Sequence, residues 1–236
     1  MHVEILGEAG YNPAMTGLSL SYNQPVEKMQ DVSLKIYNKD GGHNKFLESI
    51  MIWLLVDAPR YWWQQADTYR ISTKQSESTM HTIMKGELDA HDFENNGVTK
   101  SSLADLNRLI KKKDFETLKK RLPESFMQRR VWMMSYKTLR NIVQQRSSHK
   151  LGNWKEFIKQ VANLVQHPYF IDKKDRPRTC SSEETGRFGI GSRFNIGAWT
   201  WTVHRFLDGG KVLLINDVGP YNMILSEEDV IQTRLF

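Results

Sequence analysis

The residues best equipped for chemistry crowd into one stretch, His43 to His81, where polar and aromatic side chains sit between two apolar elements. In chain order they are His43, Gln65, Arg70, Gln75, Ser76, Ser78 and His81, followed further on by Lys137, Arg146 and His149. The set consists of cations, hydroxyls, amides and imidazoles. Arrangements that mark other chemistries are missing: no Gly-x-Ser-x-Gly occurs, and the single cysteine, Cys180, sits in a polar segment without a partner, so a nucleophilic triad has little behind it. One thiol and seven histidines fall into no standard zinc spacing. Arg187 to Arg193, RFGIGSR, lacks the strand and helix of a phosphate loop and reads as a turn-rich linker. Each candidate also has an ordinary reading. Isolated histidines are commonly structural, Tyr61-Trp62-Trp63 suits packing, and Lys137 with Arg140 on one helix face suits a solvated stripe.

The elements that must position these residues are read from periodicity and breakers. His2 to Leu6 and Val32 to Ile36 alternate like strands, with turn signals at Asn23-Gln24-Pro25 and Asp40-Gly41-Gly42. Phe46, Ile50, Trp53 and Leu54 recur at helical spacing, which predicts a helix over 45–56 with Asn44 as its N-cap and with Pro59 either ending it or opening the next. Further helices are expected over 114–120, 126–145 and 154–165, the second carrying Met133, Lys137, Arg140 and Gln144 on a largely polar stripe. After Lys173 glycines cluster and helical periodicity disappears. Trp199, Trp201 and Val203 alternate with polar residues, and Asp208-Gly209-Gly210 offers a turn before Lys211 to Ile215, which predicts a small antiparallel unit. This puts a larger domain over 1–175 and a β-rich one of unknown role over 176–236.

The chain has 236 residues, enough for a sizeable core, and 33 basic against 27 acidic residues give a formal net charge of +6. That excess suits an anionic partner, whether nucleic acid, a nucleotide or a flavin phosphate. The lone cysteine and the absence of a long apolar run point to a reducing, cytoplasmic setting. Lys111 to Lys113 and Lys119 to Arg121 read as solvated helix faces, and Trp199, Trp201 and Arg205 as a nucleic-acid reader only if the hairpin aromatics are not core.

Several motifs in order resemble the flavin-dependent thymidylate synthases. That family has a histidine five residues before a glutamate, here His43 and Glu48, then a proline and a glutamine three residues ahead of an Arg-His-Arg triplet. Pro59, Gln65 and Thr68-Tyr69-Arg70 hold those places. The family's Ser-x-Asn-Glu-x-Ser-x-Arg stands here as Thr73 to Met80, in which Ser78 matches outright, Thr73 and Gln75 are conservative, and Ser76 and Met80 replace the glutamate and arginine. Lys137 stands at a nucleotide-facing arginine, Gln144-Gln145-Arg146 at Asn-Leu-Arg, and His149 in the turn that follows. With AMTGLSLSYN, GGHNKFLE, APRYWW and HKLGNW, the pattern is similar to a bacteriophage subgroup, over roughly residues 1–170.

The resemblance implies an α+β fold with a thymidylate synthase complementing protein-like core of helices packed on a mixed or antiparallel sheet. It also implies FAD as cofactor, with NADPH and methylenetetrahydrofolate as co-substrates, and methyl or hydroxymethyl transfer to a dUMP-like pyrimidine nucleotide. Arg70 and Ser78 would be catalytic; Gln65, Gln75, Ser76, Ser78 and Lys137 would bind the nucleotide. His43, Arg70, His81, Arg146 and His149 would hold the flavin, and the protein would be a homotetramer with sites shared between chains. The altered Ser76 and Met80 leave room for a catalytically inactive phage protein that keeps the fold as a nucleotide- or nucleic-acid-binding module.

Overall fold

Strands β1 (His2–Ala9), β2 (Met51–Pro59), β3 (Thr73–Ser76) and β4 (Met127–Ser135) form an antiparallel sheet in the order β1-β2-β4-β3. The computed structural model describes residues 1–39, 41–171, 193–196, 199–207, 211–216 and 222–226. In β2, Ile52, Leu54, Val56 and Ala58 are buried on one face while Trp53 stands on the other, a period of two. This corrects the helix expected over 45–56. Only Lys45–Glu48 is helical, as a short 3-10 turn, and the chain then enters β2. A run apolar on both faces mimics a helical stripe, and pairing with β1 and β4 decides between the two.

The helix expected over 126–145 is likewise two elements. Its first part is β4, with Trp132 and Met134 turned inward, and its second is α7 (Tyr136–Arg146). Ser135 marks the change, because its Oγ accepts the Thr138 N–H at 3.2 Å and caps the helix. The strand expected over 32–36 lies in α2 (Met29–Ile36), where Met29, Ser33 and Ile36 are buried at helical spacing. α1 (Tyr11–Tyr22) begins at Gly10, whose φ of 97° and 2.0 Å gap between an added Cβ and the Ser49 carbonyl exclude a side chain.

The remaining helices of this part are α3 (Arg60–Ala66), α4 (Thr79–Thr82), α5 (Lys100–Lys111), α6 (Phe115–Arg121) and α8 (Gly152–Leu164). The last two follow the expected 114–120 and 154–165, and Pro168 follows the exit of α8. The main core centres on Trp62, Trp63, Trp132, Trp154 and Phe157, each fully buried. Tyr61 to Trp63 therefore do pack, although Trp62 and Trp63 also meet edge to face, with ring centroids 4.9 Å apart. A second cluster, built on Leu106, Leu109, Leu118 and Phe126, holds α5 against α6.

Chain contacts separate Met1–Lys173 from Lys174–Phe236. In the second unit β5 (Arg193–Ile196), β6 (Trp199–Leu207), β7 (Lys211–Asn216) and β8 (Asn222–Ser226) form an antiparallel meander. Trp201, Val203, Val212 and Leu214 are buried, so Trp201 is core and no stacking platform. The side chains of Trp199 and Arg205, the 208–210 turn, Cys180 and most of RFGIGSR lie outside the described residues. Among the described residues no helix is long and apolar enough to cross a membrane, and no group of three His, Cys, Asp or Glu could hold a metal.

Candidate active site

The strand-to-helix step from β4 into α7 opens a cleft of about 720 Å³. Ser135, Lys137 and Thr138 bring the first turn of α7 to its wall, where the positive end of the helix dipole favours an anion. Glu48 faces Lys137 from the 3-10 turn, with Oε1 2.6 Å from Nζ. Arg70 enters from the loop after α3 and, among the described residues, has no hydrogen-bond or ion-pair partner. That loop is held in place by two hydroxyls, one of its own and one from α7. The Ser72 hydroxyl donates to the Tyr69 carbonyl at 2.7 Å, and the Thr138 hydroxyl donates to the Ile71 carbonyl at 3.2 Å.

Arg140 also lines the cleft but is only 4% exposed, which corrects its reading as part of a solvated stripe. Its Nη1 donates to the Phe170 carbonyl at 3.2 Å, and its guanidinium lies 4.9 Å from the Tyr37 ring. Three cations thus surround the cleft against one lining carboxylate, Glu48. Such a charge balance suits an anion. The polar stripe of Met133, Lys137, Arg140 and Gln144 turns out to be one of its walls. Ser72, Thr138 and Asn141 were not singled out from the sequence, and for Asn141 the i,i+4 spacing from Lys137 was the signal available.

Other candidates gather elsewhere. Arg146 donates from Nε to the Tyr69 hydroxyl at 2.8 Å and lies 4.8 Å from the Trp154 ring. Trp154 Nε1 donates to Gln65 Oε1 at 2.9 Å, and His149 meets Trp154 edge to face at 6.3 Å. Gln65, Arg146 and His149 are therefore assembled around one indole. His149 Nδ1 accepts the Leu151 N–H at 3.1 Å, which leaves Nε2 as its donor. Gln75 and Ser76 are exposed on the edge strand β3, Ser78 is exposed at the start of α4, and His81 is exposed within it. His43 lines a separate groove beside α1.

Two groups near these clusters have shifted ionisation. Burial lowers the Lys74 ammonium from its usual range, opposed by Asp67. Glu8, behind α7, is pushed up to about 7 by burial, against the stabilising hydrogen bonds from the Tyr136 hydroxyl and the Gln166 N–H.

No protein-family model matches the chain, and no curated protein matches it. Solved structures do. Flavin-dependent thymidylate synthase ThyX from Helicobacter pylori, complexed with FAD and dUMP, superposes with a TM-score of 0.66 at 17% identity, over 73% of this chain and 99% of that one. A second structure of the Helicobacter pylori enzyme with FAD and dUMP gives a TM-score of 0.63 at 18% identity, over 73% and 98%. The α+β architecture, with helices on an antiparallel sheet, is thus the fold of flavin-dependent thymidylate synthase.

Proposed function

We propose that this chain is an FAD-dependent enzyme that transfers a methyl or hydroxymethyl group from methylenetetrahydrofolate to a dUMP-like pyrimidine deoxynucleotide monophosphate, with NADPH as reductant. The observation that carries the reading is the cationic cleft at the first turn of α7, on a fold that the Helicobacter pylori synthase uses in complex with FAD and dUMP. The donor set fits both ligands. Lys137, at the positive end of the α7 dipole, suits a nucleotide phosphate, and Arg70, free of partners among the described residues, suits a flavin phosphate or ring oxygen. Bound flavin would supply the hydride, and the protein would supply position and electrostatics.

Within that reading Lys137 leaves Glu48 to meet the phosphate, and Arg70 compensates the negative charge that reduction brings. Arg146 and His149, both propped on the buried Trp154, hold the far part of the cofactor. Gln75, Ser76 and Ser78 do not line their own chain's cleft, which supports a homotetramer in which they serve a neighbouring copy. The motif pattern supports a bacteriophage-type member acting in the host cytoplasm, with 1–175 as the catalytic domain.

Gel filtration after mixing with FAD, followed by an absorbance spectrum, tests the reading. A retained band at roughly 450 nm, as for a flavoprotein, supports it. A colourless protein overturns it in favour of an inactive module with the same fold, the reading that Ser76 and the 68%-exposed Met80 support by replacing the family's glutamate and arginine.

A further inference from the structure

A second cavity, of about 490 Å³, lies on the other side of the 42–49 turn, against α1. Its inner wall is apolar: Ala14, Leu18, Ile36 and Phe46 are all buried. His43 and Lys45 are exposed at its rim, and among the described residues neither has an ion-pair partner. None of the described residues that line it is acidic. The groove is separate from the cleft, since Asn44 and Glu48 of the same turn face the cleft while His43, Lys45 and Phe46 face the groove.

Gly17 supplies an independent observation. It sits in the middle of α1, where glycine is the poorest helix former after proline, and its φ is ordinary. A Cβ added there would meet no atom within 4 Å, so neither close packing nor backbone torsion within the chain calls for glycine. What the missing side chain does is keep the groove open.

We propose that this groove is a second small-molecule site, one that takes a planar aromatic carboxylate. The ring lies against Leu18, Ile36 and Phe46, and the carboxylate meets Lys45 and His43 at the rim. Charge complementarity selects the acid, and the volume falls within the range of about 300–1,000 Å³ usual for small-ligand sites. Such a site gives His43 to the groove in place of the flavin contact that the motif resemblance implies, and it stands whether or not the cleft binds flavin.

The test uses the full-length protein, 8-anilinonaphthalene-1-sulfonate as a fluorescent reporter, and naphthalene-2-carboxylate and naphthalene-2-methanol as competitors. One reporter is expected to bind per chain and to be displaced by the carboxylate at a concentration about tenfold lower than by the alcohol, the worth of one charged contact. Gly17→Leu, which improves helix propensity and fills the groove, is expected to weaken reporter binding at least about tenfold with the far-ultraviolet circular dichroism unchanged. Lys45→Gln is expected to weaken the carboxylate and leave the alcohol unaffected. Equal displacement by acid and alcohol, or unchanged binding to Gly17→Leu, overturns the proposal. So does a Gly17→Leu variant whose only change is a smaller sedimenting mass, which would make the groove a seat for a second copy.

Discussion

Glu8 is a half-buried carboxyl whose two oxygens serve different segments: one accepts the Gln166 N–H at 2.9 Å, the other the Tyr136 hydroxyl beside Lys137. Burial raises it from 4.5 to about 7, so between those values the folded state holds a proton that the unfolded chain has lost. Its contribution to stability is therefore complete below pH 4.5, declines as pH rises, and is lost above about 7. Glu8→Gln keeps an acceptor oxygen and cannot ionise. Its urea midpoint relative to the parent should rise between pH 5 and pH 8, and a constant difference across that range would show that Glu8 titrates normally. Lys137 and Glu48 are both substantially exposed, so their pair adds little stability, and its consequence is for binding. Calorimetric titration with dUMP should show Lys137→Met binding about tenfold or more weakly, the loss of a charge-assisted contact, and Glu48→Gln binding more tightly because the ammonium is released. Weaker binding in Glu48→Gln would mean that the carboxylate itself holds the nucleotide.

At the scale of elements, the cleft depends on the place where β4 stops and α7 starts. The Tyr136 N–H donates to the Ile50 carbonyl at 2.8 Å, which ties the start of the helix to the residue that leads into β2, and the Ser135 hydroxyl caps it. Ser135→Ala removes that acceptor and should cost about 1 kcal/mol, read as a lower urea midpoint with an unchanged slope. Because Lys137 sits in the same turn, nucleotide affinity should fall as well. A variant that loses stability but keeps affinity would separate the cap from the site. The opposite end of α7 is anchored differently, through Arg146 on Tyr69 and Trp154, so the two clusters of candidate residues lie at the two ends of one helix.

For the whole molecule, the β2–β4 pairing places Trp53 beside Met133 and Leu55 beside Val131 on the face of the sheet opposite the main core. Trp53 is 36% exposed and Leu6 50%, and such apolar surface commonly marks an interface. Met133 belongs to both this face and the cleft, so a copy seated there would border the site. Sedimentation equilibrium should find a tetramer for the parent and a smaller species for Trp53→Lys. A parent that is monomeric at all concentrations would remove the shared-site reading.

Sequence by itself determined the α+β class through ordered motifs, the helices over 114–120 and 154–165 through periodicity and the Pro168 breaker, and the pairing of β6 with β7 through alternation in the first and the turn signal between them. It also supplied the stripe that became the wall of the cleft, because Lys137 to Gln144 lie within one helix and local spacing sets their common face. Only tertiary structure decided the rest. Residues 51–56 and 127–135 are apolar enough to read as helix, and sheet partners distant in the chain make them strands. Residues 32–36 alternate like a strand, yet burial of Met29, Ser33 and Ile36 makes them helix. Arg140 looks solvated until Phe170 and Tyr37 close over it, and His43 lies only five residues from Glu48 yet faces a different cavity. Periodicity reports which side of an element is apolar; which neighbour covers that side is a long-range fact that no local window of the chain contains.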